Sequence, residues 1–258
     1  MYLDVVDLRE FYSHHLGHVA RRMIRRRVHA LWPDLRGQSL LGVGYALPYL
    51  APYIGDGTRV LAAMPASQGV LHWPTRGPNA SFLMDESALP LEDASVDRIL
   101  CVHALENTEQ RQGLMDELWR VLSGQGRLLI VVPNRRGLWA RFDHTPFGHG
   151  QPYTMAQLSK TLRNAHFTPT RMESALFVPP VTSQILSRST LALEGVGRRF
   201  FSTFAGAILI EAQKQVYAVR KDRRPVFDRA RKLWAPARPN VASTNKDSHI
   251  NPHSTQEN

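Results

Sequence analysis

The residues with the clearest chemical potential begin at the glycine turn Gly42-Val43-Gly44, which follows the short apolar run 39–41 and precedes a predicted helix over 46–53. A strand that ends in glycines lets the backbone turn tightly and approach a nucleotide, and the next helix offers free N–H groups. The turn therefore predicts a site for a nucleotide-type cofactor. Such turns join apolar segments in many unrelated proteins, so this turn alone does not identify the class of protein.

Three later segments narrow the class. Residues 84–97 read MDESALPLEDASVD, residues 102–107 read VHALEN, and residues 120–128 read RVLSGQGRL. In this order and at this spacing, they resemble the "GDAxxLPFxDxSFD", "NHVLEH" and "RVLKPGGRL" motifs of class I methyltransferases that use S-adenosylmethionine. Within this family, the resemblance is to the type 11 methyltransferase domain. The resemblance covers about residues 38–170 and implies an S-adenosylmethionine-dependent methyltransferase.

The resemblance also implies a cofactor site. By it, the backbone of Gly42 and Gly44 faces the methionine part of the cofactor, and Asp85 binds the adenine amino group. Glu86 adds a backbone contact, and His103 and Leu105 lie beside the sulfonium. In chain order, the predicted cofactor-binding residues are Gly42, Gly44, Tyr45, Met64, Asp85, Glu86, His103 and Leu105.

The first two motifs of this chain diverge from the family pattern. Leu40 stands where an acid usually precedes the first glycine, and Ala46 replaces the third glycine. The second predicted strand ends in Met64-Pro65, where the family carries an acid that holds both ribose hydroxyls. A hydrogen bond to a charged group contributes about 1.5–3 kcal/mol, so we expect cofactor binding to be weaker by roughly one or two decades unless another group substitutes. The same gap argues against a nicotinamide dinucleotide site.

Methyl transfer requires a protein base only when the acceptor must lose a proton, because the sulfonium is already activated and positioning supplies much of the rate. The candidate catalytic residues are Tyr12, His103, Asp143 and His144. Residues 143–149 follow the fifth predicted strand, and ligands bind beyond the carboxyl ends of parallel strands. A zinc site in this segment is not predicted, because one loop with no cysteine partner and no His-x3-His helix lacks the usual ligand pattern.

The elements that must position these residues alternate between short strands and helices, which is typical of an α/β fold with a mostly parallel sheet. We expect a Rossmann-like, seven-stranded sheet with helices on both faces and an antiparallel last strand. The predicted strands are 39–44, 59–64, 80–84, 97–102, 127–132, 168–177 and 206–218. The predicted helices are one or two over 8–32, and one each over 46–53, 109–122 and 154–164.

Charge is distributed unevenly over three predicted regions. Residues 1–36 form a basic helical extension expected to pack on the core, residues 37–220 the methyltransferase-like domain, and residues 221–258 a basic and then polar tail expected to be disordered. The net charge is +10, and most of the excess lies at the two ends. This pattern favours an anionic partner, which could be RNA, a lipid surface or an acidic protein, beside the simpler alternative of solvated, solubilising ends.

A cytoplasmic location is expected from the single cysteine, Cys101, and from the absence of an apolar signal core. No apolar stretch approaches the roughly 20 residues of a membrane helix. The methyl acceptor cannot be read from the sequence. Two alternatives stay open: a methyltransferase-like binding or regulatory protein without catalysis, which the missing acids suggest, and an RNA-modifying methyltransferase that uses the basic ends.

Overall fold

The computed structural model describes residues 3–180 and 205–216, which build one seven-stranded sheet with helices around it. The strands lie in the order β3-β2-β1-β4-β5-β7-β6. Strands β1 to β5 are parallel, and β7 runs antiparallel to both β5 and β6. The predicted Rossmann-like fold class is confirmed. The strands are β1 (Ser39–Gly44), β2 (Arg59–Pro65), β3 (Ser81–Met84), β4 (Val96–Val102), β5 (Leu122–Pro133), β6 (Phe167–Ala175) and β7 (Ala207–Lys214).

Strand β1 is central and buried along its whole length, as its apolar sequence requires. Leu40 packs into the hydrophobic cluster on one face of the sheet, while Leu41 and Val43 pack into the cluster on the other face. Its neighbours β2 and β4 are both parallel to it, so the carboxyl ends of β2, β1 and β4 meet at one edge of the sheet. Any ligand of this edge lies above the glycine turn of β1.

Five α-helices surround the sheet in the described residues: α1 (Val5–Ser13), α2 (His15–Leu31), α3 (Leu47–Leu50), α4 (Arg111–Val121) and α5 (Met155–Asn164). Asp4 caps α1 in a reciprocal capping box with Asp7, and Thr154 and Gln157 do the same for α5. The helix predicted over 46–53 is shorter than expected, because residues 51–53 form a 3-10 turn. Pro52 lacks the N–H that would continue the α-helical bonding, which explains this end.

The connection from β2 to β3 contains no helix between residues 66 and 80. It instead runs beneath α1, where the backbone N–H of Val5 donates to the carbonyl of Gln68 at 2.7 Å. Trp73 of this loop and Leu8 of α1 belong to the same hydrophobic cluster. The N-terminal helix is therefore anchored over the carboxyl edge of the sheet.

The tail predicted over 221–258 and the domain boundary predicted after residue 220 lie outside the described residues. Within the described residues, none of the helices is sufficiently long and apolar to cross a membrane.

Candidate functional site

A cavity of about 390 Å³ opens at the carboxyl ends of β2, β3 and β4. Its walls come from the segments that directly follow these three strands, so the parallel sheet itself places their side chains together. The lining residues are Ala66, Ser67, Met84, Asp85, Glu86, Asn107, Glu109 and Gln110. Two predicted cofactor residues, Asp85 and Glu86, are among them.

Asp85 is an exposed carboxylate at the end of β3. Its Oδ1 accepts hydrogen bonds from the backbone N–H and the hydroxyl of Ser87, at 2.8 and 2.7 Å. These bonds stabilise the ionised form and hold the pKa of Asp85 below its usual value. At neutral pH the side chain is therefore an acceptor, as contact with an amino group requires.

Glu86 reaches across the cavity instead of offering only its backbone. Its Oε1 accepts from the hydroxyl of Ser67, which follows β2, at 3.4 Å. Its Oε2 accepts from the hydroxyl of Thr108, which follows β4. A carboxylate thus lies between the ends of β2 and β4, although β2 itself ends in the apolar Met64.

The glycine turn beside this cavity is closed. Gln68, which follows β2, donates its side-chain amide to the carbonyl of His103, which follows β4. Because β1 lies between β2 and β4, a side chain that joins their ends must pass over the end of β1 and its Gly44. Gln68 is only 4% exposed, so this bridge is covered by other residues.

Helix α1 supplies that cover through Tyr12. The Tyr12 hydroxyl lies 2.9 Å from Nε2 of His103 and 2.8 Å from the hydroxyl of Tyr49. Tyr45, the residue after the glycine turn, stacks on the Tyr12 ring with centroids 5.6 Å apart. Burial raises the pKa of Tyr12, so its hydroxyl stays a neutral donor and acceptor.

His103 is held from both ring nitrogens. Its Nδ1 lies 3.2 Å from Oε1 of Glu106, and its Nε2 lies 2.9 Å from the Tyr12 hydroxyl. The ring is 1% exposed and its backbone is left-handed, with φ +53°. Both ring nitrogens of His103 are therefore engaged by other side chains of the protein in this structure.

Gly42 and Gly44 serve the packing of the chain itself. Gly44 has φ +75°, and a Cβ built there would lie 2.3 Å from the carbonyl oxygen of Val102. A Cβ on Gly42 would lie 2.4 Å from a methyl of Leu50. Neither glycine lines the cavity at the ends of β2 to β4. Close approach of backbone to backbone is thus sufficient to require glycine at Gly44.

The other predicted site residues fall into two groups. Met64 and Leu105 are completely buried, in the hydrophobic clusters on opposite faces of the sheet. Asp143 and His144 are exposed and line a separate cavity of about 500 Å³ between their loop and α1. The structure therefore joins Tyr12 to His103 and Asp85 to Glu86, while the pair Asp143 and His144 lies in another cavity.

Three buried acceptor atoms near the end of β4 lack a partner among the described residues: Oε1 of Gln68, Oε2 of Glu106 and Oδ1 of Asn107. A buried polar atom without a hydrogen bond is costly, so such atoms in a native fold call for an explanation. A ligand that brings N–H and O–H donors would satisfy them. S-adenosylmethionine carries an ammonium group and two ribose hydroxyls, which are donors of this kind, so the three acceptor atoms fit it.

Four residues of this region were not predicted from the sequence: Ser67, Gln68, Thr108 and Tyr49. The sequence provided a weak indication that Gln68 belongs to the site, since it is a polar residue just after a buried strand. It provided no such indication for Tyr49, because the apolar helical pattern around Tyr49 indicates only core packing. Among residues 3–180 and 205–216, no three His, Cys, Asp or Glu side chains are grouped so that they could hold a metal ion.

Comparison with known proteins shows which sequences and folds this chain resembles. Residues 41–130 match the family model described as a methyltransferase domain. No curated protein sequence is significantly similar to the chain.

Many solved structures share the fold. A chain of the complex that contains the Haloferax volcanii Trm112 methyltransferase activator has a TM-score of 0.59 and 15% identity, over 83% of this chain and 100% of that one. A methyltransferase dependent on S-adenosylmethionine from Thermotoga maritima has a TM-score of 0.57 and 14% identity, over 82% and 96%. Another from Mesorhizobium loti has a TM-score of 0.52 and 16% identity, over 73% and 96%.

Residues 41–130 thus match a methyltransferase domain, and the chain shares its fold with solved methyltransferases dependent on S-adenosylmethionine. The resemblance inferred from the three sequence motifs is confirmed.

Proposed function

We propose that this protein is an S-adenosylmethionine-dependent methyltransferase that binds the adenosine end of its cofactor in the cavity at the ends of β2, β3 and β4. The observation that carries the proposal is the convergence there of Asp85 and Glu86 in one open cavity. These residues belong to the segment 84–97 that resembles the family motif. The cofactor supplies an activated methyl group, and the residues of the chain bind and orient it.

Asp85 would accept from the adenine amino group, as the resemblance implies. Glu86 and Ser67 would replace the acid that the chain lacks at Met64, since the Glu86 carboxylate already lies between the ends of β2 and β4. Of the two hydroxyls that now donate to Glu86, that of Ser67 is exposed and could be exchanged for a ribose hydroxyl, while that of the buried Thr108 would stay in place. The weaker binding expected from Met64 would then be partly offset.

Binding the methionine end requires local opening. Gln68 and Tyr12 cover the glycine turn, so the bonds that both make to His103 must be exchanged for contacts with the cofactor. Once Tyr12 leaves, Nε2 of His103 is free to accept a proton from an acceptor group, with Glu106 stabilising the positive ring. His103 and Tyr12 are the catalytic candidates that this geometry favours over Asp143 and His144.

The closed glycine turn also favours a second function, that of a methyltransferase-like binding or regulatory protein without catalysis. In that case the Gln68 and Tyr12 bridges would be permanent. The methyl acceptor, an RNA substrate, an anionic partner of the basic ends and the cytoplasmic location remain predictions from the sequence.

Isothermal titration with S-adenosylhomocysteine tests the proposal. We expect saturable binding by the full chain below about 1 mM, and about tenfold weaker binding by Asp85→Asn, which loses a charge-assisted hydrogen bond. Asp56→Asn is the matched control, because Asp56 is an exposed carboxylate shortly before β2, at the opposite edge of the sheet. Absence of binding by the folded chain at millimolar ligand would instead support the protein without catalysis.

A further inference from the structure

A second concave surface lies away from the carboxyl edge, between α2 and residues 49–53. This cavity of about 820 Å³ is called the arginine groove here. Its residues come from one face of α2 and from the turn opposite. They are His18, Arg21, Arg22, Arg25, Arg26, Val28, His29, Tyr49, Pro52 and Tyr53.

The groove carries concentrated positive charge, and the described residues that line it include no acid. Arg22, Arg25 and Arg26 are exposed, and within the described residues none of the four groove arginines makes an ion pair. By contrast, Arg36 and Arg120 elsewhere in the chain bind carboxylates at 2.7 Å. Like charges one helical turn apart destabilise a helix, as Arg21 with Arg25 and Arg22 with Arg26 must do here. A bound anion would remove this repulsion.

The floor of the groove is formed by buried aromatic side chains. Tyr49 is completely buried and Tyr53 is 4% exposed. Their hydroxyls are already bonded inside the protein, that of Tyr53 to the carbonyl of Trp32 at 2.8 Å and that of Tyr49 to Tyr12. The groove therefore offers guanidinium donors at its rim and ring edges at its base.

These features discriminate between anionic ligands. Buried tyrosine rings present no free faces on which nucleic-acid bases could stack. The apolar side of α2, with Ala20, Ile24 and Val28, is buried in the core, so the helix has no apolar face left to insert into a membrane. A concave site of several hundred cubic ångströms is the usual size for a small organic ligand. Guanidinium groups match phosphate oxygens in a bidentate geometry.

We propose that the arginine groove binds a small organic ligand through a diphosphate or longer phosphate group, with the organic part against Pro52 and the tyrosine edges. The four groove arginines lie on two consecutive turns of α2. This arrangement matches a ligand with two or more adjacent phosphates better than a ligand with a single phosphate. This site is distinct from the cofactor cavity and does not depend on methyl transfer.

Titration of the full chain with inorganic pyrophosphate tests the site, with thermal unfolding to show that each variant is folded. We expect one saturable site in the wild type, and binding at least about tenfold weaker in the double variant Arg22→Gln/Arg25→Gln. The control is Arg76→Gln/Arg163→Gln, which removes the same charge from two exposed arginines outside the groove. The control is expected to bind as the wild type does.

Equal weakening in both double variants, or no saturable binding by the wild type, would overturn the proposal. The same variants are measured with single-stranded RNA and with vesicles rich in phosphatidylserine. If Arg22→Gln/Arg25→Gln selectively weakens either of these while pyrophosphate neither binds nor competes, the groove is a macromolecular surface and the proposal is wrong.

Discussion

The carboxyl edge of the sheet contains an open region and a closed region side by side. At the ends of β2, β3 and β4, exposed carboxylates line a cavity of about 390 Å³. Above β1, between the same strand ends, Gln68 and Tyr12 cover the glycine turn and bond to His103. The open region presents carboxylates to its cavity, while in the closed region Gln68 and Tyr12 bond to His103 and three nearby buried acceptor atoms have no partner among the described residues.

The difference shows that the glycine turn has a packing requirement of its own, which does not depend on a ligand. Gly44 is required by the carbonyl of Val102, whether or not a cofactor approaches. Asp85, in contrast, makes only local bonds to Ser87 and is not needed to hold the sheet together. A glycine turn is thus weaker evidence for a bound cofactor than an exposed carboxylate beside a cavity.

The largest expected effect is a loss of stability when a side chain is added at the glycine turn. Gly44→Ala should lower the free energy of unfolding by about 2–5 kcal/mol, because the added Cβ combines left-handed strain with a clash against backbone. Gly55→Ala is the matched control: Gly55 has a similar φ of +79°, but a Cβ there meets nothing within 4 Å. It should cost only the strain, about 1–2 kcal/mol. Urea unfolding measures both, and equal losses would show that the close packing at Gly44 is not restrictive.

A smaller effect tests the hydroxyl chain of the closed region. Tyr12→Phe leaves Nε2 of His103 and the hydroxyl of Tyr49 without their partner, which should cost about 1–3 kcal/mol of unfolding free energy. Tyr153→Phe is the control, because the Tyr153 hydroxyl is buried and has no partner among the described residues. It should change stability little or increase it. If Tyr153→Phe lowered the free energy of unfolding as much as Tyr12→Phe does, the hydrogen-bonded chain of Tyr49, Tyr12 and His103 would be contradicted.

The sequence predicted the open region better than the closed one. Asp85 and Glu86 follow an apolar strand within a long motif, and parallel strands must bring such ends together, so local pattern and topology were sufficient. The strand positions were also predicted within a few residues, except that β5 begins at Leu122 because the chain remains extended through residues 122–126.

The closed region depends on contacts between distant residues. Tyr12 and His103 are 91 positions apart, and Gln68 and His103 are 35 apart. No periodicity indicates that α1 lies over the strand ends, since the same apolar residues would pack against any hydrophobic face. The bridge from Gln68 also requires a loop after β2 where a helix would be expected in an α/β fold.

The most direct test of the two-region account compares S-adenosylhomocysteine with adenosine, in the wild type and in Gln68→Ala. Adenosine lacks the methionine end and needs only the open region, whereas S-adenosylhomocysteine must also open the closed one. Gln68→Ala should keep its fold, because the His103 carbonyl still accepts from Asn107. We predict that Gln68→Ala strengthens S-adenosylhomocysteine binding about three- to tenfold by calorimetry and leaves adenosine binding unchanged. Equal changes for both ligands, or no change for either, would contradict the claim that Gln68 closes the glycine turn.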